Sequence, residues 1–205
     1  MNDTVRVRSA EFRDLEAAYE ICLKTGDAGR DATGLYRDSR LIGHIYAGPY
    51  LALDGFIGVV AEDRDGVLGY AVGAADTRAC ERRLERDWWP SLRQRYPDPS
   101  GDPAGWTPDE RRIRSIHHPA MVPEYVVEAY PAHIHMNLLP RAQGQGLGSR
   151  LLAAWSVEAR GQAVSSVHAG VNARNKAGLA FWKARGFEPV GAVRDSGTIW
   201  CGRHL

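Results

Sequence analysis

The sequence predicts a protein of the α/β (α+β) class, and three observations support this prediction. Residues 131–155 (PAHIHMNLLPRAQGQGLGSRLLAAW) place an extended apolar run, a glycine-rich loop and an amphipathic helix in succession. Asp65-Gly66 joins two apolar runs, which is typical of a β-hairpin. Strand-like and helix-like periodicities also follow one another near both ends of the chain. We therefore expect one domain that covers residues 1–205.

The first half of the chain predicts two strand and helix groups. Alternation at Val5 and Val7 predicts a strand, and apolar spacing from Leu15 to Leu23 predicts a helix. Gly69 and Gly73 lie inside a predicted strand, where they indicate a close backbone approach or a bulge. The further expected elements are a turn at 26–34, a helix at 36–46, strands at 56–61 and 67–75, and a helix at 79–96 followed by irregular chain at 97–108.

The second half predicts the glycine loop and the elements around it. Pro140 ends the strand that begins at Ala132, because proline cannot donate to a sheet. Gly186 stands where a left-handed helix cap is expected. The further expected elements are a helix beginning near 147, a strand at 164–171, a helix within 172–187, and strands at 187–193 and 198–203 turned by Asp195-Ser196-Gly197.

Composition excludes several classes of function. The 26 basic and 25 acidic residues give a net charge of +1, which does not favour binding to nucleic acid or to an anionic membrane. Cys22, Cys80 and Cys201 form neither a disulfide framework nor a Cys-x-x-Cys metal motif. No apolar run reaches the roughly 18 residues that span a bilayer, and no signal peptide is evident. We therefore expect a cytoplasmic protein.

The loop after Pro140 has three interpretations as a phosphate-binding loop. A P-loop requires Lys and then Ser or Thr after its last glycine, whereas Ser149 and Arg150 follow Gly148. A dinucleotide fingerprint fits poorly, because the third glycine and the later acidic residue are missing. The third interpretation is Gln143-Gly144-Gln145-Gly146-Leu147-Gly148, which resembles the R/Q-x-x-G-x-G/A loop of GCN5-related N-acetyltransferases (the GNAT superfamily).

A second motif strengthens this resemblance. The segment NARNKAGLAFWKARGF at 172–187 is similar to the N-x-x-A-x-x-F/L-Y-x-x-x-G-F segment of the same family. The combination of ICLKTGDAG, IHHP and YPAHIHMNLLPRAQGQGLG further resembles a bacterial acetyltransferase group that is similar to the C-terminal acetyltransferase-like domain of O-GlcNAcase. The resemblance implies a mixed, mostly antiparallel sheet flanked by helices, with splayed central strands.

The resemblance also implies a binding site for acetyl-CoA between those strands. Backbone groups of the strand end would bind the pantetheine, the glycine loop would bind the pyrophosphate, and Arg150 would assist by charge. The last helix would line the other side. The residues implied are Leu138, Leu139, Gln143, Gly144, Gln145, Gly146, Leu147, Gly148, Ser149, Arg150, Asn175, Phe181 and Trp182.

The candidate bases are His133 and His135, which share one face of a strand and are neutral near pH 7. The positions that supply a base in related enzymes fall on Ala132 and Ile134, so the histidines are one residue out of register. A bulge would restore them, and otherwise they face away from the cleft as structural residues. Asp54 is a further candidate that contacts the substrate, as are Asp27, Asp31 and His44, with turn and cap roles as the alternative for Asp27 and Asp31.

The candidate acid is less clear, because Trp182 occupies the place of the family's proton-donating tyrosine. An indole N–H donates a hydrogen bond but not a proton. Tyr36, Tyr50 and Tyr130 are the alternatives that the sequence leaves open. The histidines complete no tetrahedral ligand set, so we expect no metal site.

Residues 76–130 form an insertion between two strands that are usually sequential neighbours in the family. The insertion holds 9 arginines and 10 acidic residues, so solvated helix faces are expected, and its length suggests a wall of the acceptor site. We expect an acetyl-CoA-dependent N-acetyltransferase that acts as a monomer or homodimer on a small-molecule or protein amine, by direct attack in a ternary complex. The alternatives are a module that binds acetyl-CoA without turnover and an interaction domain that binds no nucleotide.

Overall fold

The computed structural model describes residues 5–191 and 197–205, and a seven-stranded sheet runs through its centre. The order across the sheet is β1-β2-β3-β4-β5-β7-β6, with antiparallel pairs everywhere except between β4 and β5. This confirms the predicted mixed, mostly antiparallel sheet. The strands are β1 (Arg6–Ser9), β2 (Ile57–Asp63), β3 (Gly66–Ala74), β4 (Ala132–Leu138), β5 (Ser166–Asn172), β6 (Glu188–Pro189) and β7 (Thr198–His204).

Helices cover both faces of the sheet. On one face, Leu151 and Trp155 lie fully buried against β2, β4 and β5. On the other face, Ala18 and Ile21 pack against β2 and β3. The helices are α1 (Leu15–Lys24), α2 (Leu41–Tyr46), α3 (Gly48–Ala52), α4 (Thr77–Asp87), α5 (Trp89–Arg95), α6 (Pro108–His117), α7 (Glu124–Ala129), α8 (Leu147–Gly161) and α9 (Lys176–Lys183). Within the described ranges, no helix is long and apolar enough to cross a bilayer.

The two central strands, β4 and β5, separate soon after they meet. They pair at Ala132 with Val167 and at His133 with His168. Beyond that point β4 stays paired with β3, and β5 stays paired with β7. The splay opens a cleft at the end of the sheet where β4 leads into the glycine loop, as the resemblance implies.

Gly73 and Gly69 of β3 allow its backbone to approach β4 closely. A Cβ on Gly73 would lie 1.9 Å from the His133 carbonyl oxygen, and one on Gly69 would lie 2.8 Å from that of Asn137. Any larger residue would therefore push the two strands apart. The register irregularity of the predicted hairpin lies elsewhere, between Ala61 and Glu62 of β2.

The insertion is more helical than the sequence predicted. The expected helix at 79–96 is broken into α4 and α5 at Trp88, because Pro90 disfavours helical continuity through the preceding turn. The helices α6 and α7 were not predicted. A capping box at Thr107 and Glu110, with Pro108 at the first helical position, begins α6 and is legible in the sequence.

Within the described residues, the first of the two predicted C-terminal strands is shorter than expected. β6 covers only Glu188–Pro189, and residues 192–193 of the predicted strand lie outside the described ranges, whereas β7 covers Thr198–His204. The predicted turn residues Asp195 and Ser196 lie outside the described ranges. Gly186 follows α9 with φ of +77°, as expected for a left-handed helix cap.

Candidate functional site

The glycine loop leaves a row of backbone donors at the start of α8. Gly144 and Gly146 take positive φ values of +74° and +75°, which other residues adopt only with strain. The N–H groups of Ser149 and Arg150 both donate to the Gly146 carbonyl. In the described chain, the five N–H groups from Gly144 to Gly148 donate to no acceptor. Free N–H groups at a helix N-terminus attract anions, so the loop has the properties of a phosphate site.

A cavity of about 540 Å³ lies against this loop, between the ends of β4 and α9. Its lining includes ten of the thirteen residues implied for acetyl-CoA binding. These are Leu138, Gln143, Gly144, Gly146, Leu147, Gly148, Ser149, Asn175, Phe181 and Trp182. We call this the loop cavity.

The wall formed by α9 is held against the loop by Gly148 and Arg185. A Cβ on Gly148 would lie 2.7 Å from the Phe181 ring, so only glycine allows this contact. The Arg185 Nη2 donates to Ser149 Oγ at 2.6 Å, and its guanidinium lies 4.2 Å from the Phe181 ring centroid. Arg185 lines the loop cavity and was missed by the sequence analysis, although it directly precedes the motif glycine Gly186.

Three residues implied for the cofactor point elsewhere. Arg150 donates from Nη2 to the Val5 carbonyl at 2.8 Å, so the charge beside the loop belongs to Arg185 instead. The Gln145 side chain donates to the Arg141 carbonyl, and the Leu139 N–H donates to the Leu68 carbonyl within the sheet.

A second cavity of about 400 Å³ adjoins the loop cavity. The two share Thr25, Ala28, Gly29, Met136, Asn137, Asn175 and Trp182 as walls. The second cavity is further lined by Tyr46 of α2, Arg112 of α6 and His135 of β4. We call it the arginine cavity, and one of its walls comes from the insertion.

The structure separates the two candidate histidines. His133 accepts or donates at both ring nitrogens, with Thr77 Oγ1 at 2.9 Å from Nδ1 and the Tyr50 hydroxyl at 2.7 Å from Nε2. His135 has the Tyr70 hydroxyl 3.2 Å from Nε2, stacks on Tyr46, and lines the arginine cavity. His133 therefore lies within a closed hydrogen-bond network, whereas His135 lies at a cavity wall.

No bulge accounts for the position of His135. The register of β4 with β3 runs without a shift from Leu138 to His133. Ala132 and Ile134 point into the core beneath α8, and the two histidines face the opposite side of the sheet. Without a bulge we expected both to face away from the cleft, yet the arginine cavity reaches His135 on that face because β4 and β5 splay apart.

Burial makes both imidazoles resist protonation. It lowers the pKa of His135 to about 4. Burial, together with the neighbouring His168 and His135, lowers the pKa of His133 to about 3. Both rings are therefore neutral near pH 7.

The remaining candidates, three aspartates and His44, line neither cavity. Asp54 is exposed in the turn between α3 and β2, where its carbonyl accepts from Arg83. Asp31 accepts from the N–H and hydroxyl of Thr33, as in an Asx turn. Asp27 pairs with Arg30 and Arg174. His44 is buried against the Tyr19 hydroxyl.

The tyrosines left open by the sequence are engaged away from the loop cavity. Tyr36 accepts from Arg112, Tyr50 bonds to His133, and Tyr130 packs against Gly202. Tyr46 is the tyrosine that lines the arginine cavity, and the sequence analysis did not select it. Trp182 is buried against Phe187, with ring centroids 4.6 Å apart, and forms a wall common to both cavities.

This fold and its glycine loop define an acetyltransferase-like protein, and comparison with known families gives the same result. The chain belongs to the acetyltransferase (GNAT) family, whose model matches residues 7–187. This confirms the family resemblance found in the sequence.

Individual relatives agree with this membership. The chain is 32% identical to the protein in the solved structure "Crystal structure of SsHAT", with a TM-score of 0.88 and 98% of each chain covered. A structure of yncA from Salmonella typhimurium, described with its cofactor acetyl-CoA, shares the fold with a TM-score of 0.54 at 18% identity, covering 98% of this chain and 94% of that one. The chain is 28% identical to protein O-GlcNAcase of Rattus norvegicus over 144 residues, which are 69% of this chain and 15% of that protein.

Proposed function

We propose that this protein is an acetyl-CoA-dependent N-acetyltransferase that transfers an acetyl group to an amine by direct attack in a ternary complex. The carrying observation is the row of five N–H groups from Gly144 to Gly148, which donate to no acceptor among the described residues and lie beside the loop cavity. Family membership supports acetyl transfer, and the adjoining arginine cavity offers a place for the amine that receives the acetyl group, here called the acceptor.

The residues present fit acetyl-CoA. Backbone donors from Gly144 to Gly148 would bind the pyrophosphate, and Arg185 would add a positive charge beside Ser149. The walls formed by Leu138 and Phe181 would contact the apolar part of the pantetheine. When bound, acetyl-CoA supplies a thioester whose acetyl group an amine can take.

His135 is the residue that we propose as the proton acceptor. In the tautomer proposed here the proton is on Nε2 and the ring donates to the Tyr70 hydroxyl, while the Asn137 amide beside the same nitrogen presents its oxygen, and Nδ1 keeps a lone pair. No group in the described ranges donates to this Nδ1 atom. An alkyl ammonium has a reference pKa of about 10.4, so the acceptor must lose a proton before or during its attack. The desolvation that lowers the pKa of His135 also lowers the pKa of an ammonium bound in the same cavity, so the neutral imidazole on the cavity wall can take that proton.

One observation favours a second candidate function, a module that binds acetyl-CoA without turnover. Trp182 stands in the place of the family's proton-donating tyrosine and is only 6% exposed. General acid catalysis is typically worth about 10² to 10⁴ in rate. A thiolate of reference pKa near 8.5 is a tolerable leaving group, however, so loss of the acid slows transfer without preventing it.

Calorimetric titration with acetyl-CoA tests the common part of both candidates. We expect saturable binding to the wild-type protein and loss of at least about 100-fold in affinity in Gly146→Glu, because a carboxylate at the loop repels the pyrophosphate. Gly101→Glu is the matched control. Gly101 also has a positive φ, of +82°, and has open space around it, so the backbone strain is similar while the site is remote.

Thiol release with a panel of amines then separates the two candidates. Turnover of any amine supports the enzyme, whereas tight binding without turnover across the panel supports the binding module. Absence of binding to the wild-type protein would overturn both, and equal losses in Gly146→Glu and Gly101→Glu would show that strain, not the loop, accounts for the effect.

A further inference from the structure

Arg112 is a half-buried cation at the wall of the arginine cavity, and no carboxylate of the described residues pairs with it. Its Nε donates to the Tyr36 hydroxyl at 3.0 Å, and its Nη1 donates to the Tyr46 hydroxyl at 2.9 Å. Its Nη2 group donates to nothing in the described chain. A guanidinium has five N–H donors, so most of the fork that matches a carboxylate is still available.

This lack of a partner is unusual within the insertion. Five of its arginines form ion pairs with carboxylates, namely Arg78, Arg83, Arg86, Arg93 and Arg114. Three others, Arg82, Arg95 and Arg111, are exposed, and water solvates their charge. Among the described residues of the insertion, Arg112 alone combines partial burial with the lack of an acidic partner. A charge removed from water without a counter-ion is unfavourable, which indicates that an anion completes the site.

The rest of the cavity fits a single negative charge. Among the described lining residues, Arg112 is the only permanently charged side chain, and no Asp or Glu is present. His135 is neutral near pH 7 because burial lowers its pKa. A dianion such as a phosphate would keep one charge unpaired, whereas a carboxylate matches one guanidinium in charge and in shape.

Arg112 lines the same cavity as the proposed proton acceptor, and both contact the Tyr46 ring. Its guanidinium lies 5.7 Å from the Tyr46 ring centroid, and that ring stacks on His135 at 5.7 Å between centroids. A volume of about 400 Å³ is that of a small-molecule site. A small acceptor can therefore contact Arg112 at one end and present its amine near His135 at the other.

From this arrangement we infer that the acceptor is a small amine that also carries a carboxylate, which binds the guanidinium of Arg112. The inference rests on the proposed acetyl transfer for the identity of the amine, but the carboxylate site is a property of the cavity alone. The insertion thereby selects the acceptor, because it contributes the only described cation that lines the arginine cavity.

The first test compares each amino acid with its own carboxamide in the wild-type protein. The amino acids carry their amine on the α, β or γ carbon. Each amino acid and its carboxamide are assayed by thiol release with acetyl-CoA, and by calorimetric titration onto protein loaded with coenzyme A. The carboxamide has the more readily deprotonated amine, so chemistry alone favours it. For the best amino acid of the series, we expect kcat/KM to be about 10- to 100-fold higher, or Kd about 10- to 100-fold lower, than for its carboxamide. A charged hydrogen-bonded pair accounts for a difference of this size.

The second test uses variants of one helix. Arg112→Gln should remove the preference for the carboxylate, and Arg112→Lys should keep part of it, because lysine keeps the charge without the fork. Arg111→Gln, one residue earlier on α6 and exposed, should keep all of it. Thermal unfolding of each variant shows whether the fold is intact.

Several outcomes would overturn the inference. Carboxamides that bind or react as well as the acids in the wild-type protein would do so without any variant. A preference for aminoalkylphosphonates over the amino acids would also overturn the inference. The same holds if no amine binds while acetyl-CoA still binds. A wild-type protein that fails to bind acetyl-CoA overturns the proposed function instead, and titration of the acids onto the free protein then still reports on Arg112.

Discussion

The loop cavity and the arginine cavity adjoin each other but differ in how the chain builds them. The loop cavity takes its free N–H groups from one continuous segment, Gly144 to Gly148, and those groups belong to the backbone. The arginine cavity takes Tyr46, Arg112 and His135 from α2, α6 and β4, which are far apart in the sequence. One cavity depends on local backbone conformation, and the other depends on tertiary packing.

This difference suggests a division of roles between them. A backbone site needs only glycines at set positions, so it can bind the same cofactor in many members of a family. A side-chain site assembled from an insertion can change with one residue, such as Arg112. We therefore expect substitutions in the loop cavity to alter acetyl-CoA affinity, and substitutions in the arginine cavity to alter turnover and acceptor choice.

The largest expected effect comes from His135→Gln. We expect kcat to fall by about 10²-fold or more, because the proposed proton acceptor is lost, while the Kd for acetyl-CoA stays within about twofold. Initial rates and calorimetry measure the two quantities separately. His118→Gln is the control, since His118 is exposed and pairs with Asp98 in the insertion. A fall in acetyl-CoA affinity that matches the fall in kcat would erase the distinction between the cavities.

The sequence predicted the loop cavity better than the arginine cavity, and the reason is physical. The loop backbone takes positive φ values at Gly144 and Gly146, which favour glycine. Glycines at this spacing are visible in the sequence without knowledge of the fold. Arg112 is one of nine arginines in the insertion, and no local pattern shows which of them lacks a carboxylate. Its position depends on the contact between α6 and α2, which spacing does not encode.

Arginines show the same limit within the loop cavity itself. The sequence favoured Arg150 because it follows the glycines, yet its side chain donates to the carbonyl of Val5, which directly precedes β1. Arg185 reaches the loop from α9 through Ser149, a contact between segments that only the fold brings together. The fold class, by contrast, was predicted correctly, because strand alternation and the Asp65-Gly66 turn are local signals in the sequence.

A smaller effect is expected from Arg185→Met. We expect the affinity for acetyl-CoA to fall by about 10- to 100-fold, because a charge-assisted contact beside the loop is lost. The preference between acceptors should not change. Arg150→Met is the matched control, and calorimetry should find its affinity within about twofold of the wild-type value. If Arg150→Met weakened binding more than Arg185→Met, the sequence-based assignment would be right and the contact with Ser149 would be incidental.

Tyr46→Phe should have a still smaller effect. Desolvation raises the pKa of the Tyr46 phenol, so its proton stays on the oxygen and is available for donation. We expect kcat to fall by about tenfold, at the low end for a general acid, because the thiolate leaves tolerably without one. Tyr36→Phe removes the other hydroxyl that Arg112 contacts and serves as the control. Equal falls in both variants would show that Tyr46 acts by positioning Arg112 and not as an acid.

The smallest expected effect is the share of His135 in the pH dependence of stability, and it concerns the arginine cavity alone. Burial lowers the pKa of His44, His135 and His168 to about 4, and that of His133 to about 3. None of these histidines lines the loop cavity.

A histidine whose pKa is lower in the folded state than its usual 6.5 binds its proton preferentially in the unfolded chain. The free energy of unfolding is therefore fully retained above pH 6.5 and declines as the pH falls towards 4, by at most about 1.4 kcal/mol per pH unit for each histidine. Urea unfolding at pH 7, 6 and 5 measures how steeply the free energy of unfolding changes with pH. In His135→Gln this slope should be smaller by the contribution of one histidine. A slope that is the same in His135→Gln as in the wild-type protein would show that His135 titrates near its usual pKa in the folded state, and would remove the reason for treating it as neutral.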